Sequence, residues 1–150
     1  MSRYLTPPPS AVSIEVEIPF HDVDVLQVAW HGHYFKYLEL GRTALLRKHR
    51  LDAPDLYQLG YRFMVAESHL RHVFALRYAD RCRVSSWFTE VENRIRIHYD
   101  LHNETAGCRA AQGSTVLITT RADGTLCYET PPPIVDRLQR AMTSAREGRP

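Results

Sequence analysis

The sequence predicts an α+β fold in which one antiparallel sheet curves around a single long helix. Three observations point there: an alternating segment near the start, one long segment with helical spacing, and a run of alternating segments separated by short polar breaks. Repeated strand-helix-strand units do not occur, which argues against a doubly wound nucleotide-binding sheet.

Residues 12 to 20 set Val12, Ile14, Val16, Ile18 and Phe20 against Ser13, Glu15, Glu17 and Pro19, the period of a half-buried strand, with Pro19 marking an edge or an end. From His31 to about Lys48 the spacing becomes three and four, through Tyr34, Tyr37, Leu38, Gly41, Ala44 and Leu45. Phe35, Leu40 and Leu46 spread the apolar stripe around this helix, so it is expected to be enclosed. Gly41 in its interior costs about 1 kcal/mol relative to Ala and predicts another backbone passing close by. Residues 52 to 60, DAPDLYQLG, read as a short helix after Pro54 that closes at Gly60. Strands follow over 61 to 77, 81 to 91, 94 to 101 and Gly113 to Arg121, and their short connections imply antiparallel neighbours. An amphipathic helix begins at Pro133 and runs to about Ala145. A sheet wrapped around the long helix is the economical way to cover it.

The 150 residues suit a single domain, with a core over about 12 to 140 and flexible ends at 1 to 10 and 144 to 150. A formal charge of +2 without long runs of either sign offers no sequence-wide attraction to nucleic acid or anionic lipid. Cys82, Cys108 and Cys127 form no Cys-x-x-Cys pair, and a reducing cytoplasm fits them best. No signal peptide and no membrane span is legible.

Metal chemistry finds no support in ligand spacing. His31 and His33 diverge at a helix start, His21 lies across a loop, and His69 and His72 point to opposite faces of a strand. His33, His69 and His72 read as structural or exposed, and Trp87, Phe88 and Tyr99 as core. The serines lack a nucleophile elbow, and no glycine-rich phosphate loop is present. Asp22-Val-Asp24 stands between the first strand and the long helix. Val25, Leu26, Val28, Ala29 and Trp30 follow it, and they would surround a carboxylate with apolar groups and leave it poorly solvated. Free N–H groups at the helix start could hold a carbonyl oxygen on which charge develops. The same aspartates read also as solvated loop residues or as a cap, the commoner roles for Asp in a loop, and spacing alone does not decide.

The stretch Asp22-Val-Asp24-x-x-x-Val28-x-Trp30-His31-x-x-Tyr34-x-x-Tyr37-x-Glu39-x-x-Arg42 resembles the signature of hotdog-fold thioesterases of the 4-hydroxybenzoyl-CoA thioesterase class. Leu76-Arg77-Tyr78-Ala79-Asp80, leading into Cys82-Arg83-Val84, resembles a later family turn, and the resemblance covers roughly residues 12 to 140.

The resemblance implies a hotdog fold and hydrolysis of an acyl thioester, carried by coenzyme A or an acyl carrier protein, with no metal or redox cofactor. Asp24 matches the family's catalytic aspartate, which attacks the carbonyl or activates water. The backbone N–H of His31 matches the group that polarises that carbonyl, and Gln27, Trp30 and Tyr34 fall where the substrate is bound. Asp22 matches a frequent acidic position with a supporting role, and Glu39 and Arg42 match structural helix positions able to pair. Two departures stand out: Gln27 replaces the family's usual Gly, and His33 replaces a frequent Asn. A homodimer or homotetramer is implied, with sites at the subunit interface. The alternatives are a hotdog hydroxyacyl-thioester dehydratase or hydratase, and a non-catalytic acyl-thioester binding protein.

Overall fold

The computed structural model describes residues 3–147. Its elements, in order, are β1 (Val12–Glu17), α1 (Tyr34–Lys48), α2 (Ala53–Leu59), β2 (Tyr61–His72), β3 (Arg81–Glu90), β4 (Ile95–Asn103), β5 (Cys108–Arg121), β6 (Leu126–Cys127) and α3 (Pro132–Glu147). The strands form one antiparallel sheet in the order β1-β3-β4-β5-β2, with the two-residue β6 added to β5 at Thr119 and Thr120.

The inner face of the sheet holds the core. Ile95, Ile97, Tyr99 and Leu101 alternate along β4 and are fully buried, meeting Tyr37, Leu38 and Leu45 of α1. Each such side chain contributes about 1.5–3 kcal/mol through burial. Ile134 and Leu138 of α3 join the same cluster. Gly41 makes the close approach that its place in a helix predicts, but a side chain is the neighbour. A Cβ there would stand 2.6 Å from Val84 Cγ1 of β3, and the Ser86 hydroxyl donates to the Gly41 carbonyl at 3.0 Å. Helix α2 is fixed by local chemistry: Asp52 and Asp55 form a capping box at its start, and Gly60, at φ 85°, closes it.

Several expectations need correction. Helix α1 is not enclosed: Phe35 and Leu40 are about half exposed, and Phe35 faces an open cleft toward β2, which lies at the end of the sheet and pairs with β5 alone among the described residues. The strand expected over 61 to 77 stops at His72 and carries a bulge between Val65 and Glu67. Strand β5 begins at Cys108 rather than Gly113, and β6 had no visible signal. Leu5 is tied down within a segment expected to be flexible, its N–H donating to Gln112 Oε1 and its carbonyl accepting from Gln112 Nε2, both at 2.8 Å, while residues 1 and 2 lie outside the described residues. At the other end α3 reaches Glu147, and the remainder of the segment expected to be flexible lies outside the described residues.

Candidate active site

After β1 the chain makes a single 3-10 turn, Phe20–Asp22, and then a small hairpin. Val23 bridges Ala29, Asp24 N–H donates to the Val28 carbonyl at 3.0 Å, and Gln27 N–H donates to the Asp24 carbonyl at 2.9 Å. Val25, Leu26 and Gln27 form the tip, and Gln27 adopts φ 63°, the left-handed residue that closes a three-residue hairpin loop. This accounts for Gln27 standing where the family usually has Gly: the loop keeps a conformation natural to glycine, and the exposed Gln27 serves it through its backbone. Asp24 Oδ1 accepts the Leu26 N–H at 2.8 Å and holds the tip as an Asx turn.

The hairpin is anchored on both sides. Ala29 N–H donates to the Leu76 carbonyl at 2.8 Å, and Trp30 N–H donates to the Asp22 carbonyl at 2.9 Å. A 3-10 turn, His31–His33, then leads directly into α1. His33 N–H returns to the Trp30 carbonyl, whereas the N–H of His31 meets no acceptor among the described residues. That N–H stands at the positive end of the helix, where partial negative charge is favoured. Gly32 leaves room for the half-exposed Trp30 ring folded over it, since a Cβ there would fall 2.2 Å from the ring and displace it.

The two aspartates separate sharply. Asp22 is 1% exposed and accepts hydrogen bonds from Lys36 Nζ at 2.6 Å and the Tyr37 hydroxyl at 2.7 Å. Burial pushes its carboxyl upward, but those two bonds and the charge of Lys36 outweigh it and hold the group below the ordinary carboxylate value. Burial and the Asp22 carboxylate push the Tyr37 phenol strongly upward, so it remains a donor. His33 Nε2 lies 3.9 Å from Asp22 Oδ1, too far for a hydrogen bond to a carboxylate already held by Lys36 and Tyr37. Asp22 therefore pins the loop to α1. Asp24 lies one hairpin bond further out, and of the apolar residues expected to surround it Ala29 is buried and Val28 half-buried, but the tip is not. Val25 is 97% and Leu26 75% exposed, because the hydrogen bonds of the loop turn the tip away from the core.

Of the other expected substrate residues, Trp30 is half exposed beside the rings of His31 and His33, at 5.1 and 5.3 Å. Tyr34 is buried, its hydroxyl accepting the Leu76 N–H at 3.0 Å and its ring 4.6 Å from that of His72. A feature the sequence reading missed begins one turn later. Phe35, Leu38, Glu39 and Arg42 of α1 face Val65 and Ser68 of β2 and Thr115 of β5 across an open cleft of about 380 Å³. A second cleft of about 320 Å³ shares Glu39, Arg42 and Val65 and continues toward Leu51 and Asp52. The signal was present as His31, Phe35, Leu38 and Arg42, spaced along one helical face.

Among the described residues no group of three or more His, Cys, Asp or Glu is placed to hold a metal ion, and no helix is long and apolar enough to cross a membrane.

The long helix laid against a curved antiparallel sheet is the hotdog architecture of thioesterases. The sequence matches the thioesterase-like superfamily over residues 18–142, and the chain belongs to that family. It is 27% identical over 128 residues to a Synechocystis sp. protein named as a candidate esterase, covering 83% of this chain and 76% of that one. It is 24% identical over 88 residues to a Bacillus subtilis protein named as a candidate acyl-CoA thioesterase, covering 59% of this chain and 63% of that one. The fold superposes on a DHNA-CoA thioesterase from Staphylococcus aureus with a TM-score of 0.81 at 22% identity, over 93% of this chain and 96% of the other.

Proposed function

We propose that this protein hydrolyses an acyl thioester of coenzyme A or of an acyl carrier protein to a free acid and a thiol, in the manner of the 4-hydroxybenzoyl-CoA thioesterase class. The observation that carries the reading is that the Asp24 carboxylate and the unmet N–H of His31 belong to one hydrogen-bonded unit, the hairpin and the helix start it leads into. A thioester carbonyl held by the His31 N–H would have its developing oxyanion stabilised at the helix terminus. The Asp24 carboxylate then either adds to the carbonyl carbon, with the C–S bond breaking and water cleaving the resulting anhydride, or takes a proton from the water that adds. In both routes the thiolate leaves and is protonated by solvent. Gln27 shapes the loop, and Trp30 and Tyr34 flank the helix start.

A homodimer is part of this reading. The outer edge of β2, which pairs with no strand among the described residues, runs beside the half-exposed Phe35, Met64 and Val65, which a second copy would cover by continuing the sheet. Relatives named for CoA thioesters favour coenzyme A as the carrier. Three free cysteines suit a reducing compartment such as the cytoplasm.

Thiol release from a panel of acyl-CoA and acyl-carrier thioesters tests the proposal. The wild type is expected to release thiol, and Asp24→Asn to lose about a hundredfold or more. Equal rates in the two proteins would remove Asp24 from the chemistry, and binding without release on every substrate would favour a non-catalytic carrier.

A further inference from the structure

We propose that Arg42 recognises a carboxylate at the far end of the acyl group, so that the preferred substrate is the monothioester of a dicarboxylic acid. This rests on the thioesterase reading above and names its substrate class.

Arg42 is a cation held mostly out of water and poorly matched by its neighbours. Its side chain is 15% exposed, Nη1 lies 3.4 Å from the Tyr99 hydroxyl, and Nη2 lies 4.0 Å from Glu39 Oε2. The Tyr99 hydroxyl is already engaged with Thr115 Oγ1 at 2.7 Å, and Glu39 is 71% exposed and turned to solvent. A guanidinium carries five N–H donors in a planar fork suited to a carboxylate, and here most of them lack a close acceptor. None of its nitrogens is both buried and unpartnered, so the remaining donors open onto the clefts, where a ligand carboxylate would take the place of water.

The fork lines both clefts between α1 and β2. It also lies on the face of the helix that begins at His31 and passes through Phe35 and Leu38, so an acyl chain whose carbonyl sits at the helix start would run along that face toward it. From His31 to Arg42 the helix rises about 16 Å. Helical side chains lean back toward the N-terminus, which for an extended Arg at this position takes off about one turn and leaves roughly 10 Å. Subtracting a hydrogen bond of about 2.9 Å leaves room for a chain of about six carbons. Phe35, Leu38 and Val65 give the chain apolar walls, and the Ser68 and Thr115 hydroxyls lie at the same end as the guanidinium.

Kinetics on three six-carbon substrates, adipoyl-CoA, 6-hydroxyhexanoyl-CoA and hexanoyl-CoA, test the assignment in the wild type, Arg42→Gln and Arg42→Lys. The wild type is expected to favour adipoyl-CoA over hexanoyl-CoA by about tenfold or more in kcat/KM, mostly through KM. The hydroxylated chain should fall between them. In Arg42→Gln the preference should collapse toward one, and Arg42→Lys should retain part of it. A wild type indifferent to the carboxylate, or a preference that survives Arg42→Gln, overturns the proposal. So does an Arg42→Gln protein whose mass by light scattering changes while its preference does not, since Arg42 would then serve a contact between subunits. If no substrate releases thiol, the hydrolytic reading fails by itself. Dissociation constants for the same three ligands then decide Arg42 separately, by the same ratio.

Discussion

The Tyr37 hydroxyl donates to the Asp22 carboxylate at 2.7 Å, in the interior, on the side of α1 that faces the loop. With Lys36 on the other oxygen, one carboxylate ties the loop to the first turn of the helix. Asp22→Ala would leave the phenol and the ammonium without that acceptor and is expected to cost about 3 kcal/mol, read by urea unfolding. Tyr37→Phe removes one bond and should cost less. Because the folded protein holds the Asp22 carboxyl below its ordinary value of 3.8, the unfolded chain takes up the proton more readily. The contribution of Asp22 is therefore fully present above that value and is lost as pH falls through the lower, folded one. Stability of the wild type minus that of Asp22→Asn, followed from pH 6 to pH 2, should shrink toward the acid end.

Gly41 and Val84 constrain one another. Ala ordinarily gains about 1 kcal/mol over Gly inside a helix, but here its methyl would overlap Val84 Cγ1. Gly41→Ala is expected to destabilise by about 1–3 kcal/mol. Val84→Ala in the same chain should recover part of that loss, a coupling that a double-mutant cycle measures.

Gln27 carries a left-handed backbone at a cost of roughly 1–2 kcal/mol, part of which glycine would return to the more flexible unfolded chain. Gln27→Gly should raise stability by about 0.5–1 kcal/mol. Gln27→Val should lower it, since a β-branched residue tolerates this conformation least.

The three thiols should divide two to one. Burial, with the carboxylates of Asp100 and Glu104 adding to it, pushes the Cys82 thiol up to about 12, and its side chain is fully enclosed. Cys108 and Cys127 are partly exposed. A colorimetric disulfide reagent should titrate two thiols in the native protein and the third only on unfolding.

Charge placed on the edge of β2 should separate copies of the chain. The wild type is expected to run at twice the mass of the chain in light scattering, and the double variant Met64→Lys, Val65→Lys at the mass of one. A monomeric wild type would remove the dimer from the proposed function.

What the sequence disclosed was whatever depended on near neighbours. Alternation in Val12 to Phe20 and in Ile95 to Leu101, and the Asp52 and Gly60 ends of α2, are local signals; β4 and α2 appear where those signals place them, whereas β1 stops at Glu17 and Phe20 is exposed in the 3-10 turn that follows Pro19. The early part of β5 was hidden because Ala110 and Ala111 are small and the register slips opposite His102, which breaks the alternation. The openness of α1 could not be read from its stripe, since an apolar face looks the same whether its own sheet covers it or nothing in the chain does. Asp22 and Asp24 are equivalent by pattern. Only the fold brings Lys36 and Tyr37 to the first, and only the hairpin turns Val25 and Leu26 away from the second.

The hairpin at 23 to 29 holds its shape through main-chain hydrogen bonds and the Asp24 turn, while the Val25 and Leu26 side chains are largely exposed and lie outside the core formed by the described residues. Those two positions can therefore vary between lineages at little cost to folding. New surface chemistry can be tried there, beside a fixed carboxylate, without disturbing the scaffold that positions it.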